Sequence, residues 1–144
     1  MGRQINIRTA AVKTVVTYDL PLKLENQGFS RLGVPLAADY QPNSEPWLRF
    51  FYLPNQPEQV TLGANGQDTI TGVFQLDVMT PKGSGDIQGL TIADELCESY
   101  FKSGTVHTHN GVSVKIRSAG VRTGDDPNWH RHIIDVNFYT YLAR

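Results

Sequence analysis

The sequence predicts an α+β fold: a mostly antiparallel β-sheet packed by helices on one face, with a long extended arm after the N-terminal helix. Two stretches, 5–18 and 87–101, repeat apolar residues every three to four positions, as a helix with one buried side requires. Several other segments are rich in β-branched and aromatic residues or alternate apolar with polar. Residues 25–46 have neither pattern and carry Gly28, Gly33, Pro35, Pro42 and Pro46. The resulting order, α, β, arm, β-β-β, α, β-β-β, leads to a sheet covered by helices on one side.

The opening helix is expected from Ile5 to Tyr18, with Ile5, Ala11, Val12, Val15, Val16 and Tyr18 near one side. Its many β-branched residues would also suit a strand. Pro21 ends it, and Leu22 to Leu24 form a short strand. In the arm, Phe29, Leu32, Val34, Leu36 and Tyr40 are too apolar for a free linker and predict packing against something. Trp47 to Leu53, bounded by Pro46 and Pro54, is a strand. Gln59 to Leu62 and Thr69 to Met79 are two more, joined by a turn at Asn65-Gly66. Phe74, Leu76 and Val78 alternate with Gln75 and Asp77, which predicts one buried face and one wet face. Asp86 or Ser84 is placed to cap the second helix. That helix aligns Ile87, Leu90, Ala93, Leu96, Cys97, Tyr100 and Phe101, with Gly104 placed to end it. Val106 to His109 and Val112 to Arg117 form a hairpin around Asn110-Gly111. Gly120 to Asn128 is a loop, and Trp129 to Leu142 is the closing strand.

Composition narrows the function. A chain of 144 residues and 16.0 kDa is one domain, 1–144. A folded surface of roughly 7,400 Å² against roughly 23,000 Å² unfolded leaves room for a sizeable core. The formal net charge of −1 excludes a protein that works by neutralising phosphates along a duplex. Six Phe, six Tyr and two Trp argue against a disordered chain. The single cysteine, Cys97, makes neither an internal disulfide nor a cysteine-rich zinc site. No apolar run reaches membrane-spanning length, and Arg3, Arg8 and Lys13 interrupt any signal-peptide core. A soluble intracellular domain, or one assembled inside a cell, is expected.

Few residues suggest chemistry. The four histidines form two H-x-H pairs, His107/His109 and His130/His132. On a strand, residues i and i+2 share a face, so each pair offers two imidazoles to one metal ion. The two pairs could meet if their strands are neighbours; the plainer reading is polar strand ends beside a loop. Asp125-Asp126 stands between Gly124 and Pro127 and reads as a turn before it reads as a cation site. Gly83-Ser84-Gly85 lacks the rest of a phosphate-binding loop. Cys97 lies among apolar positions, where a thiol is inert packing. These residues do not assemble a catalytic centre, and no cofactor is expected.

A resemblance adds to this reading. The run Trp47-Leu48-Arg49-Phe50-Phe51-Tyr52-Leu53-Pro54, then Pro57-Glu58-Gln59-Val60-Thr61-Leu62-Gly63, resembles the tail terminator-like (minor tail) proteins of long-tailed phages. Gly72 to Val78, the Pro81 to Gly85 loop, the helix from Asp86, Gly111 to Ile116 and the strand after Trp129 continue it over residues 47–142. The N-terminal third departs from the pattern through the elaborated 25–46 segment. The resemblance implies structural work in the virion, not catalysis. It implies a homo-oligomeric ring, typically of six subunits, at the head-proximal end of the tail. Such a ring would cap the tube, stop its polymerisation and offer a joining surface. The implied partners are other copies of the chain, the major tail tube protein and the head-completion (stopper) protein. DNA would pass through the lumen without sequence-specific contacts, and no membrane is involved. Candidate interface residues are Phe29, Leu32 and Tyr40 in the arm and Glu58, Asn65 and Gln67 in the Gln56 to Gln67 hairpin. A head-completion or tail-tube protein of the same virion is one alternative. A small metalloenzyme using the histidine pairs is another.

Overall fold

The computed structural model describes residues 2–25, 27–55, 58–59, 66–83, 85–124 and 126–143. Helix α1 spans Arg3–Val15. Strands β1 (Leu22–Lys23), β2 (Phe29–Arg31) and β3 (Val34–Pro35) follow, then β4 (Trp47–Pro54), β5 (Glu58–Gln59) and β6 (Gln67–Pro81). Helix α2 (Ile87–Glu95) continues into one wider turn, Leu96–Tyr100, closed by the Phe101 N–H bonding the Leu96 carbonyl at 2.8 Å. Strands β7 (Val106–His109), β8 (Val112–Gly124) and β9 (Trp129–Ala143) complete the chain.

The strands form one mixed sheet in the order β3-β2-β1-β4-β6-β9-β8-β7, with β5 pairing β6 beyond the end of β4. All described pairings are antiparallel except β1 with β4. The long central pair is β6 with β9, in continuous register from Gln67↔Ala143 to Pro81↔Trp129. The β7–β8 hairpin turns at Asn110 (φ 49°) and Gly111 (φ 78°), the two left-handed positions that this tight turn requires.

Both helices cover the same face. Ile7, Ala10, Ala11 and Val15 of α1 join Ile92, Ala93, Leu96 and Phe101 over Phe50, Phe74, Leu76, Val136 and Phe138 of the sheet in one core. Phe74 stacks on Phe138 at 4.3 Å between ring centres. Each such side chain, fully buried, contributes about 1.5–3 kcal/mol.

Several expectations change. Ile5 is 69% exposed, because the buried stripe of α1 runs through Ile7 and Ala10 instead. Ile87 (82% exposed) and Leu90 (41%) likewise stand outside the core, although they fit the helical period. Gly104 does not cap the second helix. Phe101 does, and Gly104 (φ 89°) turns the chain toward β7, its N–H bonding the Ile116 carbonyl. Residues 120–124 are strand, not loop, since β9 is long enough to pair them. Segment 25–46 is not confirmed as a long extended arm. Residues 29–35 fold into a small hairpin that β1 joins to the edge of the sheet. Asn65 of the expected turn, residues 60–62 of the expected Gln59 to Leu62 strand, Ser84 and Asp125 lie outside the described residues.

Candidate functional site

The histidines fall into two separate places. His107 and His109 face α1 from β7. His107 Nδ1 lies 2.8 Å from the Thr14 hydroxyl, and its ring tilts against Phe101 at 5.3 Å. Burial holds the His107 pKa below its ordinary value. His130 and His132 lie on β9 beneath the start of α2, their rings 4.6 Å apart. Register explains the separation: His107 pairs with Val114 and His132 with Thr123, roughly 30 Å apart along β8. The two pairs therefore do not meet.

The residue that joins the second pair is Asp86. It occupies the N-cap position of α2, but its side chain makes no cap hydrogen bond. Its carboxylate instead lies 2.6 Å from His130 Nε2. His132 is 1% exposed, and its pKa is lowered by burial first and by neighbouring His130 second, with Asp86 opposing. Asp126 serves the turn expected of it, its Oδ1 accepting from the N–H groups of Asn128 and Trp129. Cys97 is half-buried against the core, and burial, then Asp94 and Glu98, raise its pKa, so the thiol is held unreactive.

The sheet face turned away from the helices carries most of the sheet's ion pairs. The alternation in β6 was expected to leave this face wet at Gln75 and Asp77. Asp77 is instead fully buried, its Oδ2 accepting from Arg49 Nη2 at 2.7 Å and Arg131 Nη2 at 2.9 Å. Gln75 Nε2 donates to its other oxygen at 3.0 Å. The long arginine stems roof over a carboxylate that would otherwise be open to water. Arg122 pairs with Asp135 at 2.7 Å on the same face. Further along, Lys115 lies over the rings of Tyr139 and Tyr141 at 5.8 and 5.5 Å, and Arg117 over Tyr139 at 4.8 Å. Arg49, Arg131, Arg122, Lys115 and Arg117 thus share this face with Asp77 and Asp135. The outer side of the second helix is the opposite in character. Asp94, Glu95 and Glu98 are exposed there beside Ile87 and Leu90, and residues 87–101 contain no Lys or Arg.

The candidate contact residues are distributed unevenly. Phe29 packs edge-on against Tyr40 (5.3 Å) and Trp47 (5.2 Å), and Trp47 against Trp129 (5.9 Å). Tyr40 also donates its hydroxyl to Glu45. These aromatics line an open cleft of about 540 Å³ with Lys23. Leu32 is 53% exposed at the tip of the small hairpin. Gln67 is exposed at the start of β6. Glu58 is described only as backbone in β5, and Asn65 lies outside the described residues. The arginine clamp on Asp77 and the part played by Asp86 were missed from sequence. A lone aspartate in an alternating strand gives no sign of which cations will lie over it.

The sequence matches the family described as phage tail terminator protein over residues 6–138. The match takes in the opening helix and the 22–46 segment, which the resemblance in residues 47–142 had left aside. No curated protein matches the chain. A solved structure whose name states no function aligns over 96% of this chain and 95% of its own, with a TM-score of 0.72 and 22% identity. That likeness speaks for the fold alone.

Proposed function

Since the chain belongs to the phage tail terminator protein family, a family of structural proteins, we propose that it caps the tail tube of a long-tailed phage. In this reading the subunits close into a ring, expected to hold six, at the head-proximal end of the tail. The ring stops tube polymerisation and presents a surface to the head-completion protein. The observation that carries the reading is the family match along nearly the whole chain.

The surface chemistry supports it. A ring needs two unlike, complementary patches on each subunit, related by a rotation that closes. The exposed stripe Ile87, Leu90, Asp94 and Glu98 and the basic, aromatic sheet face around Lys115, Arg117 and Tyr141 are two such patches. Opposite charge would set orientation and register, and the flanking apolar groups would contribute burial.

The test is the mass of the purified chain in solution by light scattering, with and without magnesium, and imaging of the large species. Closed rings of one size support the cap. Open filaments would instead identify a tube subunit. A chain that stays monomeric even when offered preformed tail tubes would refute the ring.

A further inference from the structure

We propose that Asp86, His130 and His132 form a binding site for a divalent transition-metal ion of the zinc type. One ring nitrogen of each histidine and a carboxylate oxygen of Asp86 lie within 4.8 Å of one another. They come from two elements, the start of α2 and the strand beneath it, 44 and 46 residues away in sequence. A tetrahedral ion holds nitrogen and oxygen donors at 2.0–2.2 Å, hence about 3.3–3.5 Å apart. The Asp86 side chain is 70% exposed and free to turn, so its 2.6 Å contact with His130 Nε2 can open to admit the ion. Two imidazoles and one carboxylate favour zinc, cobalt or nickel over magnesium or calcium, which prefer oxygen donors alone.

Two further observations point to this place. His132 is buried, yet its Nδ1 has no hydrogen-bond partner. An unsatisfied buried polar atom costs about 1–3 kcal/mol. The ring is therefore held by packing, and its polar capacity is not spent within the protein. Gly89 lies directly over it: a Cβ there would come within 2.4 Å of Nδ1. Glycine inside a helix costs roughly 0.5–1 kcal/mol relative to alanine. The chain thus accepts a weaker helix to keep this imidazole in place. On its outer side the group opens into a cleft lined by Lys82, Gly83, Gly85, Asp86 and His130, where water or an anion matched by Lys82 would complete the ligand set. The ion would tie the first turn of α2 to β9. This proposal does not depend on ring formation.

The experiment titrates the full chain, stripped with chelator, with Co²⁺ and then Zn²⁺. One equivalent of Co²⁺ should bind with visible ligand-field bands, and Zn²⁺ should displace it and raise the melting temperature. Asp86→Asn and His130→Ala should each weaken binding at least tenfold, while His107→Ala/His109→Ala leaves it unchanged. Asp86 is exposed, so its variant remains informative if His130→Ala folds poorly. The proposal is overturned by the absence of saturable binding at micromolar metal. It is equally overturned by binding that survives Asp86→Asn or is lost in the His107/His109 variant.

Discussion

Individual side chains here do work that their residue types alone would not suggest. Gly89 is the sharpest case. Ala at a helix-interior glycine is ordinarily stabilising by roughly 0.5–1 kcal/mol. Gly89→Ala is expected to do the reverse, because its Cβ would meet the buried His132 ring at 2.4 Å. A loss of about 1–3 kcal/mol in denaturant unfolding is expected from such overpacking. Asp77 is held by two arginines that still reach solvent, 29% and 22% exposed. Asp77→Asn should therefore cost on the order of 2 kcal/mol, less than the 3–5 for breaking a fully buried pair. An unchanged unfolding midpoint would show that the clamp contributes nothing. His107 gives a pH dependence. Burial lowers its folded pKa below about 6.5, so the unfolded chain takes up a proton first as pH falls. Its contribution to stability is intact above pH 6.5 and is lost between that value and the lower folded pKa. The melting temperature should fall from pH 7 to pH 5, and less steeply in His107→Gln.

Among the elements, the segment between α1 and β4 is the one whose path the structure redefines. Its apolar residues were expected to pack on something, and neighbouring subunits were the natural choice. Within the subunit, Phe29 packs against Tyr40 and against Trp47 of its own sheet. Arg31 ties the small hairpin to Asp19 at 2.8 Å and to Glu45 at 3.7 Å. The Phe29→Ala/Tyr40→Ala variant is thus expected to lower the melting temperature of the isolated subunit, by several degrees for about 1–2 kcal/mol lost. Leu32→Ser, at the exposed tip, should leave the melting temperature within a degree and serves as the surface control. If the double variant melts like the parent, the segment's packing is not part of the subunit's own stability. Whether it also touches a neighbour is a separate matter, read from the mass in solution.

For the subunit as a building block, the distribution of charge matters more than its total. A net charge of −1 conceals a basic sheet face and an acidic helix. If these meet between copies, Lys115→Glu/Arg117→Glu should disperse the ring, since like charges placed opposite one another cost several kcal/mol. Asp94→Arg/Glu98→Arg should disperse it equally. All four changes in one chain should restore assembly, and the parent ring should weaken with added salt. Light scattering, with circular dichroism to verify folding, reads all three variants. Failure of the combined variant to reassemble while the parent forms rings would place the contact elsewhere on the subunit.

The sequence alone was enough for the parts of this protein that are local. The 3.6 period located both helices, Asn110-Gly111 located a turn because two left-handed positions leave little alternative, and Pro46 and Pro54 bounded β4. The family, too, was legible in the Trp47 to Val78 blocks. Tertiary structure was needed wherever partners lie far apart in the chain. Asp77 reads as a wet-face residue until β4 and β9 bring Arg49 and Arg131, 28 and 54 positions away, over it. The histidine pairs look able to meet until β8 sets them far apart, and Asp86 looks like a cap until β9 offers it His130. The physical reason is the same each time. Periodicity and turn chemistry are properties of neighbouring residues, whereas strand register joins groups the chain itself keeps apart, and one sheet closes all of these contacts together.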